Sequence, residues 1–157
     1  MNRWLIRLLL LAASLVVFFT ILGVVVAGDW RPVAQEALIT RRVYAYRDWQ
    51  SLGLRVHPGE ILKIKAQGRW LYTPEEYHGP EGHARYRAPA FYPLPRVSGG
   101  CLIGRIGEEG NIFYVGRATS IPVQNFGALY LRINDDILSD NDGWVGVEVT
   151  VIQPEED

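Results

Sequence analysis

The chain reads as all-β: an antiparallel sandwich preceded by one N-terminal transmembrane helix. Two patterns predict this. Residues 8–27 contain no charged side chain, whereas from Val43 onward short apolar stretches alternate with polar positions. Leu129, Leu131 and Ile133 alternate with Tyr130 and Arg132, and Val145, Val147, Val149 and Val151 with Gly146, Glu148 and Thr150. A period of two puts one apolar face on each strand, as antiparallel sandwiches require. No stretch of helical period follows the first segment.

About 20 apolar residues at 1.5 Å each span the ~30 Å hydrocarbon core of a bilayer. Arg3 and Arg7 precede the stretch, Asp29 follows it, and Trp4 and Trp30 bracket it. Positive charge upstream keeps the N-terminus in the cytoplasm and exports the remainder. A cleaved signal peptide would have a shorter apolar core and an Ala-x-Ala-like site, of which Val25-Val26-Ala27-Gly28 is a poor version. An uncleaved anchor is the favoured reading. It implies a single-pass protein of the bacterial cell membrane, with its C-terminal domain on the periplasmic or extracellular side.

The expected organisation is a cytoplasmic stub and anchor over 1–28, a linker over 29–42, one sandwich over 43–152 and an acidic tail over 153–157. After the anchor, roughly 110–130 residues suffice for one domain. A net charge of -1 offers no basis for nucleic-acid binding. The single cysteine, Cys101, lies in an apolar run and reads as a buried small hydrophobe.

Strand-like segments fall around residues 54–56, 61–66, 70–72, 101–106, 113–115, 128–133 and 144–152. His57-Pro58-Gly59-Glu60 reads as a turn. Residues 73–100 are rich in Pro and Gly and read as a long functional loop, with Tyr77, Tyr86, Phe91 and Tyr92 as its aromatics. Trp49, Trp70 and Trp144 lie on strand-like segments and read as core. Arg41, Arg42 and Arg47 form a basic cluster ahead of the domain, suited to lipid headgroups or to a solvated strand edge.

The densest chemistry is the run from Asn134 to Gly143, with four carboxylates and two carboxamides: Asn134, Asp135, Asp136, Asp140, Asn141 and Asp142. Crowded like charges need water or a cation, and hard oxygen donors suit Ca²⁺. The competing reading is a polar turn, since Asx residues and Gly are turn formers. An EF-hand is excluded: with Asp140 and Asp142 at ligand positions 3 and 5, positions 1 and 12 fall on Leu138 and Val149. Around Gly79-Pro80-Glu81-Gly82, the residues His78, His83 and Glu81 admit a transition metal on spacing alone. For His83, lining a pocket is the better reading. No nucleophile triad, phosphate loop or paired-carboxylate motif stands out, so the chain reads as a non-enzyme.

Six stretches in order resemble LecA-like domains, the group of the Ca²⁺-dependent galactophilic PA-I lectin. They are residues 49–53 with 57–60, Ala66-Gln67-Gly68-Arg69-Trp70-Leu71-Tyr72, Gly79-Pro80-Glu81-Gly82, residues 100–107, residues 127–135, and Asp140-Asn141-Asp142-Gly143. The resemblance covers about 43–152 and implies a jelly-roll-like sandwich with one Ca²⁺ near a loop tip. It implies metal ligands at Tyr72 (carbonyl), Asp135, Asp140, Asn141 and a carbonyl at Leu138 or Ile137. The sugar contacts it implies are His83, Glu81, Tyr86, Asp135 and Asp140, with sugar hydroxyls ligating the metal. His83, Tyr86 and Pro89 stand where that lectin has the Asp, His and Gln around galactose.

The implied function is therefore a membrane-anchored, exported, Ca²⁺-dependent carbohydrate-binding domain. Its partners would be a carbohydrate, the bilayer through residues 8–27, and membrane proteins. The rival is an accessory subunit of a membrane complex that uses the sandwich for interaction, with Ca²⁺ structural or absent.

Overall fold

A computed structural model describes residues 37–73 and 76–153. The expected transmembrane helix lies outside these residues, and no helix among them is long and apolar enough to cross a membrane. Among the described residues the strands are β1 (Ala37–Tyr44), β2 (Gln50–Val56), β3 (Ile61–Thr73), β4 (Glu76–His78), β5 (Leu102–Ile106), β6 (Phe113–Tyr114), β7 (Ala118–Pro122), β8 (Gly127–Ile133) and β9 (Asp142–Ile152).

Two antiparallel sheets form the sandwich. One has the order β1-β9-β3-β4, with β7 also on the free side of β3; the other has the order β2-β8-β5-β6. The pairs β1–β9, β2–β8 and β3–β7 are nested and closed by β5–β6, which is the pairing of a jelly roll. Alternation decides the faces. Val145, Val147, Val149 and Val151 from β9 point inward and meet Leu62, Ile64 and Trp70 from β3, and Leu129, Leu131 and Ile133 from β8. Gly68 (φ 111°) interrupts the alternation of β3, leaving residues 67–69 exposed in succession before Trp70 turns in again.

Several expectations need correcting. β1 begins at Ala37 and pairs along its length with β9, so the sandwich starts inside the segment read as linker. Arg41 and Arg42 are therefore strand residues, not residues ahead of the domain. Trp144 faces outward at 40% exposure, because its neighbour Val145 takes the inward position; the Arg42 guanidinium lies 4.1 Å over its ring. Trp49 is only half-buried, with the guanidinium groups of Arg105 and Arg132 4.4 and 5.5 Å from its ring. Trp70 is core, as expected, and its indole N–H donates to the Gly100 carbonyl at 2.9 Å.

The long loop is ordered by backbone pairing and by one carboxamide. Ala88 N–H donates to Val97 O and Arg96 N–H to Ala88 O, each at 2.8 Å, and His83 N–H donates to Gly99 O at 2.8 Å. Asn134, wholly buried at the end of β8, accepts from Leu94 N–H at 2.9 Å and donates to Leu94 O at 2.8 Å. Its own backbone pairs with Cys101 O and Gly100 N–H. Gly100 has φ 70°, and a Cβ there would stand 2.4 Å from the Tyr72 ring, so glycine is required where the loop crosses that ring.

Replacing Asn134 by Ala strands the Leu94 backbone groups. Chemical denaturation should show a loss of about 1–3 kcal/mol. Limited proteolysis should then cut first within residues 79–100.

Candidate functional site

The pole of the sandwich where β9 begins gathers three segments distant in sequence. β3 pairs with β9 as far as Leu71 opposite Asp142, so Tyr72 continues beside Asn141. β8 ends at Ile133 and delivers Asn134 and Asp135 to the same place. Arg132 braces this end: its Nη2 donates to Asp135 O at 2.7 Å and its Nε to Ile133 O at 3.0 Å.

A cleft of about 470 Å3 opens here, lined by Tyr72, His83, Tyr86, Tyr92, Asp135 and Asp140 among others. Five of the residues expected at the site are thus brought together: Tyr72, His83, Tyr86, Asp135 and Asp140. Asn141 stands behind them, almost fully buried, its amide donating to Asp135 Oδ2 at 2.8 Å and to Ile137 O at 3.2 Å. Its Oδ1 is buried and has no hydrogen-bond partner among the described residues. An orphaned carboxamide oxygen is costly unless something takes it up.

Asp135 is 4% exposed; its carboxylate accepts from the Asn141 amide and the Asp136 N–H (2.9 Å), with the Tyr92 hydroxyl beside it. Burial raises its pKa above the ordinary carboxylate value, and the Asn141 bond opposes that rise only in part. Tyr72 and Tyr92 share a buried hydroxyl–hydroxyl bond of 3.1 Å. Burial pushes the Tyr72 phenol up to about 12, the nearby Asp135 adding to the rise, and lifts Tyr92 as well. Both phenols stay neutral at any physiological pH and serve as fixed donors beside the carboxylate.

Of the other two expected residues, Leu138 was expected for its carbonyl and Glu81 for its side chain. Leu138 packs its side chain against the core, leaving only its carbonyl toward the loop, where it accepts from Asn141 N–H at 3.4 Å. Glu81 is absent from the cleft lining; it turns into a neighbouring cleft and pairs with Arg117 at 2.8 and 2.9 Å. Asn134 and Tyr92 were not among the expected site residues. Asn134 does sit in the acidic run, but its partner Leu94 is 40 residues away and no local spacing reveals it.

The histidines carry a different message from their spacing. Glu76, not Glu81, joins His78 and His83, with potential ligand atoms all within 4.8 Å. However, His83 Nδ1 accepts from the N–H groups of Arg85 (3.1 Å) and Tyr86 (2.9 Å). The ring proton is therefore on Nε2, which faces Glu76 Oε2 at 3.7 Å. So held, His83 offers a donor and no lone pair for a metal. Burial, then the neighbouring His83, lowers the pKa of His78.

The fold is a jelly roll with an oxygen-rich cleft at this loop pole. Among solved structures, the domain is similar to the N-terminal domain of EclA, a PllA-like lectin. The two are 26% identical with a TM-score of 0.58, and the match covers 73% of this chain and 97% of that domain. This likeness supports a LecA-like lectin domain, as the six stretches imply, and the neighbour belongs to a non-enzymatic class. No family model and no curated protein matches the chain.

The raised pKa of Asp135 has a sign that can be checked. The folded state holds this proton more tightly than the unfolded chain, whose value is about 3.9. Without metal, the group's stabilising contribution is present below that value and is lost as pH rises through the higher folded one. Thermal melts in chelator should show this decline, and Asp135→Asn should flatten it.

Proposed function

We propose that the chain is a membrane-anchored, exported lectin-like domain that binds a carbohydrate through Ca²⁺. The observation that carries the reading is the buried, unpartnered Oδ1 of Asn141 beside the buried Asp135 carboxylate, in the cleft pole of a lectin-like jelly roll. The donor set is entirely oxygen, which suits a hard divalent cation. Asp135, Asp140, Asn141, the Tyr72 carbonyl and a carbonyl at Ile137 or Leu138 would hold the ion. Bound there, Ca²⁺ would supply open coordination positions for vicinal sugar hydroxyls.

The chain's own groups do the remaining work. Asp135 and Asp140 accept hydrogen bonds from sugar hydroxyls, and Arg85 donates. Tyr86, 43% exposed, offers a ring for the apolar face of a sugar. A monosaccharide buries little area, so dissociation constants of mM to tens of μM, roughly 4–7 kcal/mol, are expected.

The anchor rests on residues 8–27 and on the arginines that precede them. β1 enters the sandwich at the pole opposite the cleft, where Ala37 pairs with Val151, while Tyr44 pairs with Trp144 near the site. Seven residue steps of strand, ~3.3 Å each, separate the two ends by about 23 Å.

Two measurements on the detergent-solubilised full chain test the proposal. Calorimetry should show Ca²⁺ binding that Asp135→Ala reduces at least tenfold; identical isotherms for the two proteins would remove the metal. A glycan array should give signals that chelator abolishes. A blank array, with stoichiometric membrane proteins co-purifying, would favour an accessory subunit instead.

A further inference from the structure

A second cleft, of about 750 Å3, adjoins the first and shares His83 and Arg85 with it as a common wall. Its charge is of opposite sign. The first cleft is lined by the carboxylates of Asp135, Asp136 and Asp140, with Arg85 as its one guanidinium. The second is lined by three guanidinium groups, Arg69, Arg85 and Arg117, and by one carboxylate, Glu81.

That carboxylate is already engaged, because Arg117 holds both of its oxygens. Glu76 is not among the residues lining the second cleft; its Oε2 lies 3.2 and 3.7 Å from the Nε2 atoms of His78 and His83. Arg69 donates one nitrogen to the Tyr77 carbonyl, and neither Arg69 nor Arg85 meets a carboxylate among the described residues. Two guanidinium forks therefore face the second cleft with charge to spare. Tyr77 and Tyr114, 50% and 41% exposed, also line it and offer faces to a ring.

A guanidinium fork recognises a planar or tetrahedral oxyanion with paired hydrogen bonds. The two clefts share the side chains of His83 and Arg85, so a ligand seated in one that extends past these side chains enters the other. We propose that the second cleft is a subsite for an anionic sugar residue, carrying carboxylate or sulfate, next to the residue held in the first cleft. The substrate class is then an acidic oligosaccharide, and the inference rests on the lectin reading above. Arg69 and Arg85 bind the anion, Arg117 keeps Glu81 from competing for them, and the His83 N–H lies on the path between the two sugar residues.

The test uses matched disaccharides ending in galactose, mannose or fucose, each with glucose, glucuronate or sulfated glucose at the reducing position. They are titrated into the Ca²⁺-loaded full chain in detergent. For whichever terminal residue binds, the acidic members should bind about tenfold tighter than the neutral one at low salt, and the gap should shrink as salt is raised. The carboxylate and sulfate arms tell which anion is preferred. Arg69→Gln should bring the ratio near one while neutral binding stays within twofold; Arg117→Gln, which frees Glu81, should do the same. Neutral binding without acidic preference would overturn the subsite and leave the lectin reading intact. A preference that survives both substitutions would also overturn it. Failure of every disaccharide to bind would sink both.

Discussion

Where β8 ends, two buried polar side chains follow one another, and the whole loop pole is arranged around satisfying them. Asn134 is satisfied from within: Leu94 occupies both ends of its amide, and the long loop is thereby pinned across the sandwich. Asp135 is satisfied only in part, sharing Asn141 with a second demand that the protein does not meet, the lone Oδ1. A fully paired group gives rigidity, whereas an incompletely paired one in a dry site leaves capacity for a ligand. Adjacent residues thus divide the tasks of building the pocket and equipping it.

The jelly-roll winding explains why residues so far apart in sequence meet. Nested pairing brings the end of β3 beside the start of β9, and the end of β8 to the same pole. Tyr72 lies on β3, and Asp135 and Asn141 stand two residues past the end of β8 and one before the start of β9, so the strand ends fix where the site residues meet. The loop of residues 79–100 then supplies the outer wall. Its glycines are spent on contact: a Cβ at Gly82 would meet Cys101 N at 2.6 Å, and one at Gly99 the Tyr72 hydroxyl at 2.2 Å. Cys101 itself is sealed beneath this crossing, and burial pushes its thiol up to about 12, so it behaves as a small apolar residue.

Much of the sandwich could be read from alternation, because strands with one buried face carry their orientation in the side-chain pattern. β7 could not: Ala118-Thr119-Ser120-Ile121-Pro122 lacks a clear apolar face, and its place is dictated by pairing with β3. β1 was obscured for a related reason, since Arg41 and Arg42 break its apolar run while the strand still lies against β9. In the site, Asp135, Asp140, Asn141 and Tyr72 follow from motif resemblance and meet at one pole. Glu81 could not be placed that way. It is claimed by Arg117, 36 residues on, a long-range contact that spacing does not encode. The outward turn of Trp144 shows the same limit: parity with Val145 outweighed the usual preference of tryptophan for the interior.

The account turns on whether the oxygen-rich pole takes up a cation. A crystal structure of the protein grown with Ca²⁺, with anomalous data collected, would locate the ion. A single peak within 2.3–2.6 Å of the Asp135 carboxylate, Asn141 Oδ1 and the Tyr72 carbonyl is the predicted result. Density showing Asn141 Oδ1 bonded instead to an ordinary water or to a shifted backbone N–H, with no anomalous signal at the pole, would contradict it.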